Sequence, residues 1–123
     1  VELKTVKEEP RHGQSKSDLM AAEADRIRKA IPKGSLLVTL DERGKDLTTV
    51  EFAKKLSAWQ DSGESVAFVI GGTDGIDPAL KQESRMMIRL SSMTLPHALA
   101  RVILSEQIYR AWSILNNHPY HRA

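Results

Sequence analysis

Apolar and polar positions recur in this chain with two different periods, and the places where the period changes mark its elements. At residues 1–6 the side chains alternate, Val1, Leu3 and Thr5 against Glu2 and Lys4, which predicts a short half-buried edge strand. Residues 7–17 (KEEPRHGQSKS) hold charges, Pro10 and Gly13 without any period, so a loop is expected there. From Asp18, read as an N-cap, a helical repeat runs through Met20, Ala24, Ile27 and Ile31 until Pro32, Lys33 and Gly34 stop it. An apolar strand (SLLVTL, 35–40) follows, and residues 41–46 with Gly44 turn the chain. Thr48, with Glu51 three residues on, is the capping-box signature of a helix that turns Phe52, Leu56 and Trp59 inward and ends at Gly63.

Val66–Ile70 (VAFVI) is apolar on both faces, the pattern of a central strand in a parallel sheet covered on each side. Asp77 followed by Pro78 opens a short helix to about Ser84, and residues 86–90 form a further short strand. The longest helix is expected over 97–116, with Ala100, Leu104, Ile108, Trp112 and Leu115 along one face. Val102, Ile103 and Tyr109 widen that face, so burial on more than one side is expected. Strands alternating with helices argue for a single α/β domain over residues 1–123, built on a mostly parallel sheet.

Composition narrows the class. The 123 residues are 41% hydrophobic and 28% charged, values of an ordinary globular domain. No apolar run approaches the ~20 residues of a membrane-spanning helix, so no membrane partner is expected. The chain has no cysteine, which removes disulfides, zinc ribbons and thiolate nucleophiles and makes a reducing compartment, the cytoplasm, the default. A formal charge of +2 permits an RNA partner without identifying one.

In parallel sheets ligands gather at the carboxyl ends of strands. Three segments qualify: Leu40 with Asp41, the glycine run 71–75 (GGTDG) and the hydroxyl-rich run 91–97 (SSMTLPH). Gly71 and Gly72 leave the backbone open to close approach. The same glycines also describe a plain turn, and their spacing is not the dinucleotide fingerprint. Ser91, Ser92, Met93, Thr94, Leu95 and Pro96 by themselves make an unremarkable connection between strand and helix. The tail carries Tyr120 for stacking on a base, His121 for proton transfer and Arg122 for phosphate, although a solvated terminus has the same look. His118 and His121 are not expected to bind metal, since Pro119 separates them and no third ligand stands at a telling spacing. Arg101 and Arg110, on an otherwise apolar helix, suggest pairing with Glu106 or contact with a second subunit.

Residues 38–41 (VTLD), 70–75 (IGGTDG), 91–97, 106–113 (EQIYRAWS) and 117–122 (NHPYHR) together resemble the ribosomal large subunit methyltransferase H family of the SPOUT superfamily. The likeness covers nearly the whole chain. It implies a deep trefoil knot, a homodimer, and methylation of N3 of a pseudouridine in 23S rRNA of the assembled ribosome. It implies further that S-adenosylmethionine is cradled by the backbone of three loops, to which Leu40, Gly71, Gly72 and 91–96 correspond. His121 is then the expected base, with His118 as its substitute, and Tyr120 and Arg122 position the substrate. Family members begin with a further apolar strand and helix before the segment that residues 1–7 resemble. Both are missing here, so the sequence is expected to be a fragment, a shortened homologue or one given without those residues. Loss of these elements would leave, as the rival reading, a noncatalytic ribosome- or RNA-binding module without cofactor. A hydrolytic nucleotide-binding domain is disfavoured, because no phosphate loop, carboxylate cluster or nucleophile motif is present.

Overall fold

The computed structural model describes residues 15–70 and 76–122. The strand expected at 1–6, most of the loop after it and the glycine run at 71–75 lie outside the described residues. Helix α1 spans Lys16–Ala30. Its cap is Ser15, whose hydroxyl accepts the N–H of Asp18 at 3.2 Å. The cap expected at Asp18 therefore moves three residues earlier, and Asp18 falls in the first turn, where a carboxylate suits the positive end of the helix dipole.

Strand β1 (Leu36–Asp46), α2 (Thr49–Asp61), β2 (Val66–Ile70), α3 (Pro78–Glu83), β3 (Met86–Arg89) and α4 (His97–Leu115) follow. The strands pair in the order β2-β1-β3, both pairs parallel. Among the described residues β1, not β2, is thus the central strand. Val38 and Thr39 of β1 have no exposure, whereas Val69 is the one fully buried residue of β2.

Residues 41–46, expected as a turn, belong to an interrupted strand. Leu40 and Lys45 both pair with Ile88, so residues 41–44 swing out and the strand rejoins β3 behind them. Gly44 makes this possible, because a Cβ there would lie 2.7 Å from the backbone nitrogen of Ile88.

Alternation along β1 divides the core between two faces. Leu36, Val38 and Leu40 pack with Phe52, Ala53, Trp59, Ile88, Leu104 and Ala111 under α2 and α4. On the other face Val69, Ile76 and Leu80 meet Ala24 of α1, with Leu37 against them. The capping box of α2 forms as expected: Thr48 N–H donates to Glu51 Oε1 at 2.9 Å, and Glu51 N–H donates to Thr48 Oγ1 at 3.1 Å. Asp77 caps α3 by accepting the Ala79 N–H at 3.1 Å.

Helix α4 buries Ala100, Leu104 and Ala111. Trp112, expected on the buried stripe, is 47% exposed. The helix is apolar around most of its circumference, so periodicity alone does not choose the inner face. Leu99, Val102, Tyr109 and Trp112 remain as an exposed apolar strip. No helix among the described residues is long and apolar enough to cross a membrane.

Candidate active site

The carboxyl ends of β2 and β3 and the end of the first half of β1 open on one pocket of about 160 Å³. Leu40 and Asp41 end the first half of β1, Ile70 ends β2, and Leu90, Ser91, Met93 and Leu95 come from the loop after β3. Ile76, His97 and Ala100 complete the lining. The structure therefore brings together four of the residues expected at a cofactor, Leu40, Ser91, Met93 and Leu95. Ser92, Thr94 and Pro96 share the loop without facing the pocket. The Ser91 hydroxyl accepts the Met93 N–H at 2.9 Å, and Thr94 Oγ1 donates to Glu42 Oε2 at 3.1 Å. The loop is thereby bent on itself and tied to the excursion in β1. Pro96 is the N-cap of α4 and makes no side-chain cap bond. Gly71 and Gly72 follow Ile70 in the chain and lie outside the described residues.

One ion pair borders the pocket. Lys81 Nζ lies 2.8 Å from Asp41 Oδ2, and the Arg43 N–H donates to Asp41 Oδ1 at 2.8 Å. Burial pushes the Asp41 carboxyl up, but the Lys81 and Arg43 contacts outweigh it and hold the group below the usual carboxylate range. Sequence reading missed Lys81, because a lysine in a short helix looks the same whether solvated or paired across the fold.

The tail forms a second cluster. Asn117, at φ +54°, turns the chain, and the His118 N–H donates to the Ser113 carbonyl at 2.7 Å. Tyr120 then lies back on α4, its ring edge-on to Tyr109 at 4.5 Å and its hydroxyl donating to Glu106 Oε1 at 2.8 Å. Arg110 Nε donates to the same oxygen at 2.9 Å, and the guanidinium sits 5.2 Å from the Tyr120 ring centroid. The bond to Glu106 is the main reason the Tyr120 phenol is raised above its ordinary range. Trp112 stacks on Tyr109 at 5.7 Å and touches the His118 ring at 5.4 Å. His121 meets Arg110, and Arg122 is exposed. The tail is docked, and the pairing of Arg110 with Glu106 weighed from the sequence is what docks it.

The two clusters do not meet within one chain. Ala100 lines the pocket and Arg110 holds the tail, and at ~1.5 Å of rise per residue they stand about 15 Å apart along α4.

A family profile described as "Predicted SPOUT methyltransferase" matches residues 1–121. A relative from Ralstonia pickettii (strain 12J), named "Ribosomal RNA large subunit methyltransferase H", is 58% identical over 123 residues, spanning 99% of this chain and 79% of its own length. Proteins of the same name from Burkholderia ambifaria (strain MC40-6) and Burkholderia thailandensis are each 56% identical over 124 residues, covering all of this chain and 80% of theirs.

Proposed function

Because this chain belongs to the SPOUT methyltransferase family, we propose that it methylates N3 of a pseudouridine in the 23S rRNA of the assembled ribosome, using S-adenosylmethionine. It acts in the cytoplasm as a knotted homodimer. The names of its relatives support an rRNA substrate. The pocket supports the cofactor: Leu40, Ile70, Leu90 and Leu95 offer an apolar wall, and Ser91 offers a hydroxyl. Such a lining suits an uncharged purine nucleoside better than a phosphate. When bound, S-adenosylmethionine supplies a methyl group already activated by its sulfonium.

The protein's part is alignment and handling of the N3 proton. Leu40 and the 91–96 loop hold the donor, and Tyr120, His121 and Arg122 grip the target nucleoside, with His118 packed behind them on Trp112. Reacting atoms must come within ~3–3.5 Å, while one chain keeps pocket and tail about 15 Å apart. That separation is the observation that carries the dimer. A second copy laid along the exposed Leu99, Val102, Tyr109 and Trp112 strip brings its tail to the first copy's pocket, as a two-fold interface allows.

Complementation tests this. Leu95→Arg spoils the pocket by putting a long charged side chain into its wall, and removal of residues 118–123 spoils the tail. Each variant alone should be inactive in single-turnover transfer of labelled methyl to ribosomes lacking the modification. Mixed and re-equilibrated, random pairing makes one intact composite site in half of the dimers, so about a quarter of wild-type sites should return. No recovery, with both variants folded and dimeric, would refute the shared site. Absence of S-adenosylmethionine binding by calorimetry would return the chain to an RNA-binding module.

A further inference from the structure

Arginine carries five N–H donors and no acceptor, so an imidazole nitrogen that meets a guanidinium has to accept. Arg110 Nη1 lies 3.4 Å from His121 Nδ1. If the two are hydrogen-bonded, Nδ1 is the acceptor, and a neutral ring so engaged carries its proton on Nε2. Arg110 is not free to turn away. Its Nε is held by Glu106 Oε1 at 2.9 Å, and its plane lies over Tyr120, whose hydroxyl is bound to that same oxygen at 2.8 Å. The chain Glu106, Arg110, His121 thus sets which edge of the imidazole, the Nδ1 edge, is turned to α4.

We propose that Arg110 is a positioning residue that presents His121 to the target nucleoside as an Nε2–H hydrogen-bond donor, not as a proton acceptor; this rests on the methyltransferase reading above. The lone pair a base needs is already engaged by a cation. When the N3–H bond of the pyrimidine breaks, its electron pair stays on the ring and the proton passes to solvent water. The negative charge spreads onto the carbonyl oxygens flanking N3, where a fixed N–H donor stabilises it as an oxyanion hole does.

His121→Gln separates the two roles, since the amide keeps an N–H donor near the Nε2 position and takes up no proton. Its single-turnover rate should stay within about tenfold of wild type, while His121→Ala should fall by about 10² or more. Equal losses in the two variants would overturn the donor role. A second readout needs no ribosome: two-bond ¹H–¹⁵N spectra of the full protein with labelled histidine distinguish the two neutral tautomers, His121 being assigned by its loss in His121→Gln. The ring should be the Nε2–H form in wild type and a mixture in Arg110→Met. An Nδ1–H ring in a protein that methylates ribosomes overturns this inference alone. An Nε2–H ring in a protein that does not methylate them supports the tautomer and overturns the methyltransferase reading, and the donor role with it.

Discussion

Replacing Gly44 by alanine measures how closely the interrupted strand holds the pocket together. The new Cβ would lie 2.7 Å from both the Ile88 nitrogen and the Met87 carbonyl carbon, against ~3.5–4.0 Å for a relaxed carbon contact. Both are main-chain atoms of β3, so no rotamer relieves the clash. Either β3 retreats by roughly 1 Å, or the 41–44 excursion shifts. Gly44 is not among the glycines with positive φ, so alanine accepts its backbone angles and the cost is steric. Overpacking of this kind costs about 1–3 kcal/mol, a fall in Tm of roughly 4–12 °C for a domain of this size. The displacement reaches Ile88, and beyond it Leu90 and Ser91 in the pocket wall, so S-adenosylmethionine affinity should drop about tenfold, or ~1.4 kcal/mol. Gly34→Ala is the control: at φ +85° with nothing within 4 Å, it should cost about 1 kcal/mol of left-handed strain and leave affinity alone. Thermal melts and calorimetry read both effects. Wild-type stability and affinity in Gly44→Ala would show that β3 is not pressed against the strand here.

Thr48→Ala removes the reciprocal cap of α2 and should cost about 1 kcal/mol in urea denaturation, with cofactor affinity unchanged. The Asp41 carboxyl is held below the ordinary aspartate range by Lys81 and the Arg43 N–H, so its stabilisation is full above the unfolded pKa and is lost as pH falls through the folded one. Lys81→Met leaves burial to push the carboxyl up, and the acid limb of a stability-against-pH curve should move to higher pH; an unmoved limb would show that the pair is not coupled. Val102→Glu puts a charge on the most exposed apolar position of α4, at 64% exposure. Sedimentation should then give a monomer that binds S-adenosylmethionine but no longer methylates ribosomes.

Signals confined to a few consecutive residues were mostly legible in the sequence, the cap read at Asp18 instead of Ser15 being an exception. The Thr48 to Glu51 box, the Asp77-Pro78 start and the stop at Gly63 all form where the residues say. So does the convergence of Leu40 with Ser91, Met93 and Leu95, which follows from strand ends facing one way in a parallel sheet. Choices between equivalent patterns were not legible. β1 and β2 are both apolar on two faces, so strand order was undetermined, and the apolar girth of α4 hid the outward position of Trp112. Pairs that close long loops, Lys81 with Asp41 and Tyr120 with Glu106, leave no local trace. The grip of Arg110 on His121 depends on the angle at which Asn117 returns the chain, which no spacing encodes.

The pocket's walls belong to different time regimes. β1 is hydrogen-bonded on both sides and holds Val38 and Thr39 with no exposure, so its amides should exchange with deuterium only when the whole domain opens. The facing loop carries Met93 at 77% exposure and is tied by isolated side-chain bonds, and it should exchange through small openings many orders of magnitude more often. A ligand in the pocket then has little to change on one side and much on the other. On the function proposed above, ordering the 91–96 loop should set the entropic tax on affinity, and its loosening after turnover should set how fast the spent cofactor departs.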